Sequence, residues 1–222
     1  MEGSFFAILS RMKYIERWAL MRSSRPENLS EHACEVAMIA HALCVLGNVR
    51  YGKTLNAEKA ALIGLFHDAS EIITGDMPTP VKYANSGIRD AYKDVERSAE
   101  ERLLASLPED IRPAYEEIFG HRLAPGPDGA GLEDPQAGAA DALTEPDENE
   151  RYLRRLVKAA DKISALIKCV DEEHAGNEEF KTAADSTRLA IHAMAIDMPE
   201  VADFLREFLP SYGRTLDELL GD

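Results

Sequence analysis

Residues 56–80 read NAEKAALIGLFHDASEIITGDMPTP, and the fold class turns on this stretch. Asn56 is a candidate N-cap. Ala60, Leu62, Ile63, Leu65 and Phe66 follow at spacings that suit a buried helix running towards Ile73. From Thr74 to Pro80 one glycine and two prolines fall together, which predicts a loop. Upstream, Asn28-Leu29-Ser30-Glu31 has capping-box spacing, and an apolar helix follows to about Leu46. Downstream, helical periodicity covers about 86–106, 110–119, 150–173, 178–196 and 199–208. A last short helix starts at Thr215, with Glu218 three residues on. No strand-like alternation of any length occurs, and no internal repeat. The chain reads as all-α.

Between the helical halves, residues 121–149 change composition. Pro125, Gly126, Pro127, Gly129, Pro135, Gly138 and Pro146 interrupt a stretch almost free of large apolar side chains. This predicts a flexible insertion in a single domain spanning 1–222, too poor in core residues to fold alone.

A chain of 222 residues can bury one good core. No run of 18 or more apolar residues is present, so no membrane span is expected. Arg11, Lys13, Arg17 and Arg22 break up any signal-peptide core. Cys34, Cys44 and Cys169 are odd in number and lie in helical patterns. They read as buried thiols of a reducing compartment, which makes the cytoplasm the expected location. The net charge of −15 argues against a nucleic-acid polymer as partner. Residues 1–26 nevertheless carry Arg11, Lys13, Arg17, Arg22 and Arg25 against Glu2 and Glu16, a basic island suited to a small anionic substrate or merely to solvent.

On a helical wheel, His32 falls within the apolar arc of its helix with Val36, Ala40 and Leu43, whereas Glu31, Glu35 and Met38 form the outer face and His41 lies opposite. An inward histidine needs a partner, and by itself it reads as a hydrogen-bonded core residue. The second helix shifts that balance. His67 and Asp68 are adjacent, Glu71 follows one turn later, and Ala60 and Gly64 on the same face leave room for another backbone. Buried together with no basic neighbour, these groups call for a cation. Nitrogen and oxygen donors suit one divalent transition ion, Mn, Fe, Co, Ni or Zn. On the 150–173 helix Asp161 stands at the shoulder of the core stripe; taken alone it reads as an edge residue paired with Arg154. Trp18, the only tryptophan, reads alone as a core residue, and 76–79 alone reads as an ordinary turn.

Several segments together resemble a known family. Ser10-Arg11-Met12-Lys13, Arg17-Trp18, Asn28-Leu29-Ser30-Glu31-His32, Phe66-His67-Asp68-Ala69-Ser70-Glu71, Thr74-Gly75-Asp76-Met77-Pro78-Thr79-Pro80-Val81-Lys82-Tyr83 and Ala160-Asp161 are similar to the YfbR-type bacterial 5′-deoxynucleotidases of the HD superfamily. The similarity is strong over the first 105 residues, looser over 150–221, and lost in 121–149. It implies an HD-domain helical bundle with the metal between helices, held by His32, His67, Asp68 and Asp161. It also implies hydrolysis of deoxyribonucleoside 5′-monophosphates by metal-activated water, and a homodimer, for which Phe204, Leu205 and Phe208 are surface candidates. Arg17 would orient the phosphate, Trp18 would pack on the sugar and reject a 2′-hydroxyl, and Glu71 would transfer a proton. Asp76, Met77, Pro78 and Thr79 would hold the nucleotide, with Asp76 at the sugar or attacking water, and His32, Asp68 and Asp161 would also border the substrate.

Other readings keep or leave this fold. A guanosine tetraphosphate hydrolase would carry consecutive acids where Glu71-Ile72 stands, and a cyclic phosphodiester is the other substrate variant. A di-iron oxygenase needs more histidines in context than His121, His174 and His192 provide. A non-catalytic helical binding module leaves the His/Asp set without a purpose.

Overall fold

The computed structural model describes residues 3–82, 84–120 and 148–221, with the backbone alone at 79 and 80. The segment expected to be an insertion lies, over 121–147, outside the described residues; Glu148 and Asn149, expected within it, instead open a helix. The chain begins with α1 (Phe5–Leu9), a 3-10 turn (Ser10–Tyr14), and a two-residue antiparallel pair, β1 (Glu16–Arg17) with β2 (Glu27–Asn28). Neither α1 nor this pair is foreshadowed by periodicity, since both are shorter than the windows in which a period shows.

Asn28 then starts α2 (Leu29–Tyr51). Its side chain accepts from the Ser30 and Glu31 N–H groups, and Glu31 reaches back to the Asn28 N–H, completing the expected capping box. The helix runs on past Leu46 to Gly52, which adopts the left-handed conformation at φ +64. Gly47-Asn48 resembles a stop signal, but Gly47 is interior and serves packing: a Cβ there would lie 3.2 Å from Leu55 Cδ1 and 3.3 Å from Glu200 Oε1.

Asn56 caps α3 (Ala57–Phe66) through the Lys59 N–H. This helix ends at Phe66, not near Ile73. Residues 67–70 form a tight turn, with Ala69 N–H donating to Phe66 O and Glu71 N–H to Asp68 O, before α4 (Glu71–Thr74). Gly75 leaves α4 at φ +74 and ψ 159, a conformation open in practice only to glycine, and turns the chain into the 76–78 loop. There follow α5 (Thr79–Lys82), α6 (Ser86–Leu104), α7 (Arg112–Phe119), α8 (Glu148–His174), α9 (Lys181–Ala195), α10 (Pro199–Glu207) and α11 (Leu216–Leu220). The expected Thr215–Glu218 capping box is present at the start of α11.

Helix α2 is the axis of the bundle. Val36, Ile39, Ala40, Leu43 and Cys44 meet Ile63 from α3, Leu156, Ala160 and Ile163 from α8, and Val201 and Phe204 from α10. By length and composition α2 could cross a membrane, but half of its apolar window is buried within this bundle. Polar ties fix its C-terminal end: Arg50 pairs with Asp203 and Glu207, and Lys53 with the fully buried Glu200. Cys44 and Cys169 are buried as expected, whereas Cys34 is exposed because it lies off the core stripe of α2.

Candidate metal centre

Helices α2, α3 and α8 meet at their small residues. Ala60 is fully buried, and Gly64 lies so close to α2 that a Cβ would come 2.9 Å from Ala37 Cα. This close approach brings His32 and His67 together, with ring centroids 5.2 Å apart. Ligating atoms of His32, His67 and Asp68 all lie within 4.8 Å of one another. From α8, Asp161 Oδ1 comes within 3.2 Å of His32 Nε2 and 3.9 Å of His67 Nε2. Arg154, the alternative partner for Asp161, is taken up by Glu150 and the carbonyls of Glu117 and Ile118.

Both histidines are orientated by the opposite ring nitrogen. His67 Nδ1–H donates to the Gly64 carbonyl at 2.8 Å. His32 Nδ1–H donates to Ser164 Oγ at 3.0 Å, and Ser164 donates onward to Glu35 Oε2 at 2.6 Å. Glu35 is therefore turned towards α8 and half-buried, not part of the outer face. Burial raises its pKa, partly countered by the Ser164 bond. With both Nδ1 protons committed, each Nε2 presents a lone pair, as a metal-bound histidine requires. The His32 and His67 Nε2 atoms are buried and make no hydrogen bond, although carboxylate oxygens stand 3.0–3.9 Å away. Acceptor atoms so arranged fit a divalent cation between them better than they fit one another.

With no cation present, the acids favour a proton on His67 in the place a metal would take. Burial opposes charge on His67, yet Asp68 and Asp161 outweigh it and push the ring up to about 9. Burial, followed by the Asp68 and Asp76 charges, pushes Glu71 up to about 9. Burial likewise raises Asp76. Glu71 Oε2 is a further buried oxygen with no hydrogen-bond partner.

Arg17 lies near Asp68 and Asp161 and pairs with Glu27 at 2.8 Å; burial works against its charge, but these acids raise its pKa. Trp18 is half-buried, tilted against Phe180 at 5.3 Å, and Asp76 accepts from its backbone N–H. Met77 and Pro78 follow half-buried in the loop, and Thr79 opens α5. The basic island is largely neutralised in place, since Arg17, Arg22 and Arg25 pair with Glu27, Glu179 and Glu31. The buried carboxylate of Glu172 holds the loop that follows Trp18 by accepting from the Ser24 N–H and Lys168. Of the histidines judged insufficient for a di-iron site, His121 is outside the described residues; His174 bonds the Val170 carbonyl and His192 is exposed. Periodicity missed Glu27, Ser164 and Glu35, as none belongs to a motif whose spacing announces chemistry.

Fold and centre together define a class, the helical HD-domain phosphohydrolases. Solved neighbours share the fold: an HD-domain phosphohydrolase from Listeria innocua at TM-score 0.71 and 22% identity, with 94% of this chain and 88% of that chain covered. Another is a cyanophage S-2L HD phosphohydrolase bound to dA and one catalytic Zn2+ ion, at TM-score 0.59 and 20% identity, with 97% and 100% covered. A family model described as 5′-deoxynucleotidase YfbR-like matches residues 4–128 and 132–212. A 5′-deoxynucleotidase from Vibrio cholerae is 42% identical, with 98% of each chain covered. The Escherichia coli 5′-deoxynucleotidase YfbR is 42% identical, with 100% of this chain and 98% of that protein covered. The chain belongs to the YfbR-like 5′-deoxynucleotidase family.

Proposed function

We propose that this chain is a metal-dependent phosphomonoesterase that hydrolyses deoxyribonucleoside 5′-monophosphates to deoxynucleoside and phosphate. One observation carries the chemistry: two tautomer-fixed imidazoles direct unbonded Nε2 atoms at the same place as Asp68 and Asp161, beside Arg17. The 42% identity to 5′-deoxynucleotidases over essentially the whole chain supports the substrate. The dA and Zn2+ of the cyanophage neighbour are consistent with both.

His32, His67, Asp68 and Asp161 would hold one divalent ion, drawn from Mn, Fe, Co, Ni and Zn by the nitrogen and oxygen donor set. Bound there, it would supply a nucleophile from water at neutral pH and neutralise phosphoryl charge. Arg17 orients the phosphate, with the guanidinium N–H groups that Glu27 leaves available. Glu71 is the proton-transfer residue. Burial and the Asp68 and Asp76 charges push it up to about 9, and a cation held by Asp68 would lower it, so that it could both take up and give back a proton. Trp18, with Asp76, Met77, Pro78 and Thr79, holds the sugar side of the nucleotide; an apolar ring where a 2′-hydroxyl would sit leaves that hydroxyl unbonded.

A single domain, a cytoplasmic location and a homodimer complete the reading. The free thiols support the second. A shallow apolar cavity of about 400 Å³ between α2 and α10, lined by Val45, Leu46, Phe204, Phe208 and Tyr212, supports the third.

The substrate is tested by phosphate release across 5′-deoxy, 5′-ribo and 3′-deoxy monophosphates with each of the five metals. The 5′-deoxy series is expected to dominate. Equal turnover of 3′-monophosphates would overturn the orientation assigned to Arg17, and equal turnover of ribonucleotides the role of Trp18.

A further inference from the structure

Glu27 divides its carboxylate between two residues of the substrate side. Oε1 accepts from Arg17 Nη1 at 2.8 Å, and Oε2 accepts from Trp18 Nε1 at 3.2 Å. The β1–β2 register sets Arg17 directly opposite Glu27, and both side chains are only 13% exposed. Glu27 also immediately precedes Asn28, the cap of α2, so its backbone is fixed to the helix that carries His32.

Trp18 needs such a restraint. At φ +59 it is the only non-glycine residue with positive φ among the described residues. A bulky side chain in the left-handed region is strained and persists only where its surroundings hold it. Phe180 packs against the indole at a tilt, Asp76 accepts from the Trp18 backbone N–H, and the Met21 N–H donates to the Trp18 carbonyl at 2.8 Å. Of these contacts only the Glu27 bond fixes the indole by its polar edge, and the same carboxylate fixes Arg17.

We infer that Glu27 is a positioning residue that holds Arg17 and Trp18 at a fixed spacing from each other and from α2, and thereby sets the preference for deoxy over ribo substrates. This rests on the substrate assignments proposed for Arg17 and Trp18. An ionised carboxylate suits both donors. An amide accepts through one oxygen only and turns an NH2 towards the other donor, so Glu27→Gln loses one of the two bonds and Glu27→Ala loses both.

The sole tryptophan makes the clamp directly readable. Glu27→Ala is expected to shift Trp18 emission to the red and to increase acrylamide quenching, with Glu27→Gln intermediate and far-UV circular dichroism unchanged. The ratio of kcat/KM for deoxy over ribo monophosphates is expected to fall roughly tenfold in Glu27→Ala, the size of one charge-assisted hydrogen bond. In a Trp18→Phe background Glu27→Ala should leave the ratio unchanged, because its effect on selectivity passes through the indole. Unchanged emission and quenching in both Glu27 variants would overturn the clamp, as would an undiminished fall in the ratio on the Trp18→Phe background. Should Glu27→Ala fail to fold, Glu27→Gln decides by the same readouts. A wild-type chain inactive on deoxynucleoside 5′-monophosphates would instead remove the proposed function and the selectivity role with it, leaving emission and quenching to decide the clamp alone.

Discussion

Ser164 shows how much a single side chain can settle. It is fully buried on α8, donates its proton to Glu35 and therefore meets His32 as an acceptor. That fixes the His32 proton on Nδ1 and leaves Nε2 without one, as the proposed metal ligation requires. Ser164→Ala removes this support while keeping the ligand. Metal affinity is expected to fall roughly 10–100-fold, the usual effect of losing a partner behind a ligating histidine. Calorimetric titration of Co2+ or Mn2+ into metal-free protein reads this, and an unchanged Kd would show that His32 needs no such orientation. His32, His67 and Asp68 were legible in the sequence because apolar stripes run past them and an inward polar group stands out against such a stripe. Asp161 was legible only through the family resemblance, since a shoulder position suits a solvated acid equally well. Ser164 was not legible at all: a small residue on a core stripe looks the same whether or not its hydroxyl is used.

At the scale of elements, the centre depends on how closely α2 and α3 cross. Gly64 has no room for a Cβ against the Ala37 backbone, so Gly64→Ala must push apart the helices that carry His32 and His67. A loss of about 1–3 kcal/mol in unfolding free energy is expected from such overpacking. Weaker metal binding should accompany it, measured by denaturant unfolding and by the same titration. Full stability and unchanged affinity together would mean that the crossing does not position the ligands. The close approach could be anticipated from Ala60 and Gly64, and the capping boxes from Asn28 and Thr215. Helix ends were less readable. Gly47-Asn48 imitates a stop but serves packing, and the turn over 67–70 hides inside an apolar run that periodicity carries on to Ile73. The β1–β2 pair, too short for any period, escaped notice although it carries both Arg17 and Glu27.

Across the whole molecule, a protein of net charge −15 is read as binding an anion, which it can do only where the acids are locally offset. The basic N-terminal segment does not provide this freely, because Glu27, Glu179 and Glu31 already pair with three of its arginines. In the proposed reading the balance falls to Arg17 and to a cation that His32, His67, Asp68 and Asp161 would hold. The all-helical class could be read from the chain, as could the order His32, His67-Asp68, Asp161 of the proposed ligands. The pairing of the basic segment could not, because it depends on acids as far along as Glu179. The proposed function therefore stands on the cation. Wild-type protein stripped by a chelator and dialysed should release no phosphate from dAMP, and stoichiometric return of a divalent transition metal should restore release. Asp68→Asn treated in the same way should not recover. Stripped protein, shown to be free of metal, that hydrolyses dAMP at an undiminished rate would contradict it.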